Sequence, residues 1–210
     1  MARNPATRQE ITDRLIHYGG TSALEEIATI AQLVQSSSVL SAVERLAVLD
    51  ANIGGFGIHT LLERGKSKQR SYDTEDRPIY RPIQYVQMYL TAPNFEWRAR
   101  NAAEMACAHI EGLVKRFVER RNLLERMRSS PLGRLLHQRA VKYALPVSVW
   151  EDLCWLNDAV YVQVKHNYSV REIEEPEEVE ERKGHLFSVE EALAIYVISR
   201  YLAVEIGNSL

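Results

Sequence analysis

Apolar residues recur at helical spacing along most of the 210-residue chain. The clearest stripe is Val149, Leu153, Leu156, Val160 and Val164, whose spacings of four, three, four and four keep one helix face apolar. No segment shows the period of two that a half-buried strand requires. Because 46% of the residues are hydrophobic and 26% charged, a folded core is expected rather than disorder. We therefore predict an all-α fold.

Caps, prolines and glycines divide this pattern into helices. Asn4-Pro5 marks the start of the first helix and Gly19-Gly20 marks its end. Ser22 and Glu25 form a capping box for the second helix, which the serines at 36–38 end. The third runs to Asp50 with Leu40, Val43, Leu46 and Ala47 facing inward. The remaining predicted helices are 58–64, 82–92, 95–128, 134–143, 147–167 and 188–206, the last capped by Ser188 and Glu191.

Residues 66–81 are polar, lack a sustained period and are predicted to form a linker or long loop. They separate an N-terminal helical subdomain, residues 1–65, from a helical bundle, residues 82–210. The basic residues at 64–70 belong either to a solvated linker or to a strip that contacts phosphate. The glycine-rich stretch 53–57 lacks the spacing of a phosphate-binding loop and predicts a hinge between helices.

Charge is balanced overall but segregated along the chain. The total of 26 basic and 28 acidic residues gives no reason for the whole chain to attract nucleic acid or membrane. Residues 98–142, however, hold eleven basic and four acidic residues, while 171–191 hold three and nine. Either both are solvated faces that partly neutralise each other, or the first binds phosphates and the second competes for the same groove. The candidate nucleic-acid-binding residues are Arg116, Arg120, Arg121, Arg134, Arg139 and Lys142.

Several classes of function are not expected from this sequence. The longest apolar run, Ala192–Ile198, is seven residues, whereas a membrane span needs about 20. The N-terminus lacks the apolar core of a signal peptide, so a cytoplasmic protein is predicted. The histidines show no metal-ligand spacing, and neither a metal nor a cofactor is expected. The glutamate-rich stretch 172–181 is predicted to be mobile because of its charge and Pro176.

The stretch from Pro131 to Tyr168 reads PLGRLLHQRAVKYALPVSVWEDLCWLNDAVYVQVKHNY. Its order of "LG.LL", about ten residues, "LP" and a helix with "L..LN......KH" resembles the HEPN superfamily. The preceding helix, EWRARNAAEMACAHIEGLVKRF, is similar to the first HEPN helix. The resemblance covers about residues 95–210 and implies an up-and-down bundle of four or five helices that often dimerises.

The resemblance also implies a candidate active site. Many HEPN proteins are metal-independent ribonucleases in which four to six residues separate an arginine from a following histidine, and His166 matches that histidine. The arginine would fall at Ala159, Val160 or Tyr161, and none of these is basic. Lys165 is the neighbouring base instead, but successive residues on a helix point about 100° apart. An arginine of the basic helix, or the Lys165 of a partner chain, could then supply the missing charge.

Two functions are consistent with these features. The first is a non-catalytic HEPN-like module that binds RNA or protein, in a defence or toxin–antitoxin context with an antitoxin as partner. The second is an endoribonuclease with a degenerate Lys165–His166 site. Because the arginine of active HEPN proteins is missing, we expect cleavage to be slow or absent. Any RNA binding is expected to be weak, sensitive to salt and centred on the basic helix, because phosphate contacts release counterions. The apolar last helix and three tryptophans further predict a homodimer.

Overall fold

The computed structural model describes residues 4–54, 77–91, 97–123, 130–165 and 186–209, and within these ranges every regular element is a helix. The helices are α1 (Arg8–Gln35), α2 (Val39–Ile53), α3 (Arg77–Thr91), α4 (Arg98–Arg120), α5 (Leu132–Leu136), α6 (Arg139–Ala144), α7 (147–165) and α8 (Val189–Asn208). The middle of α7, Leu156–Tyr161, is π-helical, between α-helical stretches Val147–Trp155 and Val162–Lys165. The predicted all-α class is confirmed.

Helix α1 begins later than the sequence suggested, because Thr7 rather than Asn4 is its cap. The Thr7 hydroxyl accepts a hydrogen bond from the Glu10 amide, and the Glu10 carboxylate accepts one from the Thr7 amide at 2.9 Å. This reciprocal pair satisfies two amide donors that the first helical turn leaves unpaired. The start predicted at Asn4-Pro5 was therefore wrong by one turn.

The break predicted at Gly19-Gly20 is present as a kink within α1. Gly20 has φ 68° and ψ −175°, a backbone conformation that is essentially restricted to glycine. The hydroxyl of Ser22 donates to the Gly19 carbonyl at 3.3 Å, in place of the capping box predicted with Glu25. The two arms of α1 can therefore follow different directions across α8.

Replacing Gly20 with alanine is expected to lower the free energy of unfolding by about 1–3 kcal/mol, because a Cβ atom disfavours this φ and ψ. Urea unfolding followed by circular dichroism measures the change. The neighbouring Thr21→Ala is the control, since Thr21 is exposed and helical and should change stability by less than about 0.5 kcal/mol. Equal effects of the two substitutions would contradict the role assigned to the kink.

Helices α4 and α8 form the centre of the structure. Helix α4 packs against α3, α7 and α8, and α8 lies between α1 and α4. The predicted cap of α8 is confirmed, since Ser188 and Glu191 exchange hydrogen bonds between side chain and amide. Its apolar run Ala192–Ile198 is buried within the single chain. The single chain therefore buries the helix whose apolar surface led us to predict a homodimer. The homodimer stays a prediction.

Other helix boundaries also differ from the sequence prediction. The single helix predicted over 134–143 is two helices, α5 and α6, which residues 137 and 138 separate. Helix α4 ends at Arg120, not near residue 128, because Asn122 takes the left-handed conformation with φ 50°. The Leu123 amide then bonds back to the Val118 carbonyl at 2.8 Å, which closes the helix end in a Schellman arrangement. Helix α3 begins at Arg77 and contains Pro82, whereas the prediction started it at Pro82.

The N-terminal helices share one hydrophobic core with the rest of the chain. Helix α2 faces inward with Ala42, Leu46 and Asp50, one residue per turn. Of the residues predicted to face inward, Leu46 is buried and Val43 and Ala47 are half-buried. Leu40 is 74% exposed, so its predicted inward position was wrong. A stripe that contains an aspartate is not recognised as buried from apolar periodicity alone.

Several predictions lie outside the described residues. These are the helix 58–64, most of the glycine-rich stretch 53–57, the basic residues at 64–70, His166 and the acidic stretch 172–181. The same holds for 66–76 of the predicted linker, whereas 77–81 belong to α3.

A buried polar network joins α2, α4 and α8. Arg200 on α8 is fully buried, and its Nε donates to Oδ1 of Asp50 at 2.6 Å. The Tyr196 hydroxyl donates to the same oxygen at 2.7 Å. Arg200 Nη1 lies 3.3 Å from Nε2 of His109. Since arginine has no acceptor, Nε2 must accept, and the proton of neutral His109 therefore sits on Nδ1.

This network also holds two distant points of the backbone. Nδ1 of His109 donates to the Ile79 carbonyl at 2.8 Å, and Nη2 of Arg200 donates to the Gly54 carbonyl at 3.2 Å. Gly54 ends α2, and Ile79 lies in the first turn of α3. The end of α2 and the start of α3 are thus fixed by the same buried ion pair.

Within the described ranges, none of the helices combines the length and the low charge that crossing a lipid bilayer requires. The buried residues of α8 contact other helices of the chain.

Candidate nucleic-acid interface

The six cations predicted to bind nucleic acid fall into two groups. Arg116, Arg120 and Arg121 occupy the C-terminal end of α4, while Arg134, Arg139 and Lys142 lie on the short helices α5 and α6. Helix α5 packs against both α4 and α6. The structure thus places both groups in the α4–α5–α6 part of the fold.

Three of these six cations are engaged by the protein itself. Arg116 is largely buried and pairs with Glu119 at 3.1 Å. Nε of Arg121 donates to the Ser209 carbonyl at the end of α8, at 3.0 Å. Nζ of Lys142 lies 4.1 Å from the centre of the Trp150 ring, a cation–π contact. Arg116 and Arg121 therefore have structural partners at the end of α4.

The other three cations, Arg120, Arg134 and Arg139, are exposed. Among the described residues none of them takes part in an ion pair, so their guanidinium groups are available to solvent. Arginine suits phosphate because its planar fork can donate two parallel hydrogen bonds. Of the six predicted cations, Arg134 on α5 and Arg139 on α6 are therefore two whose guanidinium groups can contact phosphate.

An exposed aromatic residue lies one helical turn after Arg139 on α6. Tyr143, near the end of α6, is 81% exposed, and Val147, at the start of α7, is 66% exposed. Tyr143 follows Arg139 by four residues, so the two side chains share one face of α6. Tyr143 was not among the site residues predicted from the sequence. An available signal was the absence of acidic residues from 126 to 150, which surrounds this tyrosine with basic neighbours.

Trp150 fixes the base of this surface. Its indole N–H donates to the Leu136 carbonyl at 2.9 Å, which links α7 to the end of α5. The Lys142 ammonium lies over the Trp150 ring, and this contact links α7 to α6. The short helices, which could not be stable alone, are therefore held against α7. We call the residues Arg134, Arg139, Lys142, Tyr143 and Val147 the α5–α6 surface.

The second candidate site lies at the end of α7. Nζ of Lys165 is 3.3 Å from the hydroxyl of Tyr161 and 4.6 Å from the centre of its ring. Burial, followed by the negative charge of the nearby Glu111 carboxylate, raises the pKa of the Tyr161 hydroxyl well above its usual range. Lys165 thus contacts its own helix, and His166 lies outside the described residues.

An arginine of α4 does reach this end of α7, but it is buried. Nε of Arg100 donates to the Val164 carbonyl at 3.2 Å, and its Nη2 donates to the same oxygen. Only 3% of Arg100 is exposed. This contact satisfies a carbonyl at the end of the helix, and it removes Arg100 from the basic face that the sequence predicted.

The π-helical part of α7 is stabilised by contacts from outside it. The Ala6 amide donates to the Ala159 carbonyl at 2.8 Å, and the Gln163 side chain donates to the Asp158 carbonyl at 3.1 Å. A methyl group on Gly133 would come within 2.8 Å of Nδ2 of Asn157, so a larger residue at this position would displace the Asn157 side chain. The "LG" and "LN" motifs of the sequence therefore touch each other in the fold.

No group of three or more histidine, cysteine, aspartate or glutamate side chains within the described ranges is arranged to hold a metal ion. The two described cysteines are free thiols, with Cys107 buried and Cys154 partly buried. Burial raises the pKa of the Cys107 thiol well above its usual value. Cys107 therefore stays protonated as part of the core.

No protein-family model, curated protein or solved structure matches this chain. The resemblance to the HEPN superfamily accordingly stays a prediction that rests on the sequence motifs.

Proposed function

We propose that this chain is a HEPN-like helical protein that binds RNA through the α5–α6 surface and does not cleave it efficiently. The observation that carries the proposal is the pair of exposed arginines, Arg134 and Arg139, which have no ion-pair partner among the described residues. Arginines that neutralise phosphates release counterions, and this release drives binding to nucleic acid. A defence or toxin–antitoxin context, with an antitoxin as partner, belongs to the same proposal.

The end of α7 supports binding over cleavage. The positions at which the HEPN pattern carries its arginine are Ala159, Val160 and Tyr161, and all three are buried. Lys165 contacts Tyr161, and Arg100 is committed to the Val164 carbonyl. Removing a group that stabilises the charge of a transition state costs about two to three orders of magnitude in rate. Cleavage at this end of α7 would therefore be slow.

The double variant Arg134→Gln/Arg139→Gln is expected to bind RNA at least about tenfold more weakly than the wild type in 50 mM salt, because two phosphate contacts are lost. Fluorescence anisotropy with a labelled single-stranded RNA of mixed sequence measures the affinity. The control is Arg8→Gln/Arg45→Gln, which removes the same charge from α1 and α2, where both arginines pair with glutamates. Equal weakening in both variants would contradict the proposed surface.

The same RNA samples distinguish binding from cleavage. After incubation without metal, the RNA is expected to remain intact over the time of the binding measurement. Rapid cleavage that both His166→Ala and Lys165→Ala abolish would instead favour the endoribonuclease. That result would overturn the binding-only assignment while leaving the fold unchanged.

A further inference from the structure

The aromatic ring of Tyr143 is exposed to solvent instead of packed in the core. At 81% exposure it contributes little to the core, unlike the fully buried Tyr196. The neighbouring Val147 is also exposed, at 66%. A ligand that covers the exposed ring and the exposed aliphatic side chain removes their apolar surface from water, and this favours binding.

The charged side chains of α5 and α6 are all basic. Arg139 lies one turn earlier on the same face of α6, Lys142 precedes Tyr143, and Arg134 lies on the adjoining α5. No acidic residue occurs from 126 to 150. A ligand of this surface must therefore combine negative charge with a flat apolar face.

We propose that Tyr143 is a stacking platform for an unpaired nucleobase, with Arg139 and Arg134 binding the phosphates next to that base. The proposal rests on the RNA binding proposed above and specifies how the strand is held. Bases stack on exposed aromatic rings whatever their sequence, whereas the bases of a duplex are already stacked on one another. Four residues of helix rise about 6 Å, so Arg139 and Tyr143 are close enough for one nucleotide to bridge them.

An acidic peptide is the competing ligand, and the shape of the surface disfavours it. A peptide helix usually places its apolar side chains in a groove. Two grooves in the described part of the chain, of about 310 Å³ and 490 Å³, are lined by residues of α1, α2 and α8, whereas Tyr143 is 81% exposed and does not line either groove. Tyr143 instead projects from the short helix α6, where a base can stack without a groove.

Fluorescence anisotropy of Tyr143→Ala with two RNAs tests the proposal. The probes are a single-stranded RNA and a blunt duplex of the same length, both at 50 mM salt. We expect Tyr143→Ala to weaken binding of the single strand about tenfold and to leave duplex binding within about twofold of the wild type. Tyr143→Phe should retain single-strand affinity, because stacking uses the ring rather than the hydroxyl. Tyr85→Ala on α3, where Tyr85 is 38% exposed, is the matched control.

The outcomes separate this proposal from the proposed function. If Arg134→Gln/Arg139→Gln weakens RNA binding but Tyr143→Ala does not, the stacking platform is wrong and RNA binding stands. Equal loss of single-strand and duplex affinity in Tyr143→Ala also overturns stacking. If the wild type binds neither RNA, both proposals fail. A labelled poly-glutamate peptide that binds as tightly as RNA, and loses affinity in Tyr143→Ala, would identify an acidic peptide as the ligand instead.

Discussion

Replacing Arg200 with methionine is expected to lower the free energy of unfolding by about 3–5 kcal/mol, among the largest effects of a single substitution in this chain. The reason is that the carboxyl group of Asp50, only 2% exposed, would lose its cationic partner in the core. The Gly54 carbonyl and Nε2 of His109 would also lose their hydrogen-bond donor. Urea unfolding at pH 7 measures the loss.

Two further variants identify the charge as the cause. Asp50→Asn/Arg200→Met removes both charges and keeps an acceptor for the Tyr196 hydroxyl, so it should be more stable than Arg200→Met alone. Arg45→Met breaks a partly exposed pair with Glu26, and its unfolding midpoint should stay near that of the wild type. If Arg200→Met were as stable as Arg45→Met, the buried pair would not be what holds α2 to α8.

The stability of the chain is expected to fall as the pH is lowered from 7 to 5, through His109. Burial and then the nearby Arg200 guanidinium lower the pKa of His109 from the ordinary 6.5 to about 3. Between these values the unfolded chain binds a proton that the folded chain does not, so the free energy of unfolding decreases with decreasing pH. For one such group the decrease approaches about 1.4 kcal/mol per pH unit, or about 2 kcal/mol between pH 7 and pH 5.

Urea unfolding at pH 7, 6 and 5 tests this dependence. The variant His109→Gln cannot take up this proton. Between pH 7 and pH 5 its free energy of unfolding should therefore fall by about 2 kcal/mol less than that of the wild type. Carboxylates titrate in both proteins and cancel in the comparison. His137→Gln, on the exposed side of α5, keeps His109 and is the control for the substitution itself. Parallel pH profiles for wild type and His109→Gln would show that His109 is not buried beside Arg200.

Much of the helical architecture could be predicted because its signals are local. The stripe Val149–Val164 is buried, as its spacing indicated, and Ser188 caps α8 as predicted. Gly20 interrupts α1 because its φ is positive, and glycine is the residue that marks such positions in a sequence. Caps, turns and apolar stripes involve neighbours in the chain, and this is why sequence patterns report them.

Contacts between distant residues could not be predicted in the same way. Asp50 and Arg200 are 150 residues apart, and neither belongs to a recognisable motif. A single arginine in the apolar helix α8 indicates that a buried partner exists but not which residue it is. The π-helical segment of α7 was also missed, because its apolar residues fit the α-helical period and its outside contacts come from Ala6 and Gly133.

The candidate site was predicted only in part, for a related reason. The excess of basic residues over 98–142 predicted Arg134 and Arg139 as cations that bind nucleic acid, and both are exposed. It also includes Arg100, although Arg100 is buried against the Val164 carbonyl. Exposure depends on which face of each helix meets the core, and charge composition alone does not contain that information.

The salt dependence of RNA binding tests the central claim most directly. For single strands, each phosphate contact contributes about −0.7 to the slope of the logarithm of the binding constant against the logarithm of salt concentration. Arg134→Gln/Arg139→Gln, which lacks two contacts, should therefore have a slope about 1.4 smaller in magnitude than the wild type. Arg8→Gln/Arg45→Gln should keep the wild-type slope. The same slope in all three proteins, or RNA binding that does not weaken with salt, would contradict phosphate recognition by the α5–α6 surface.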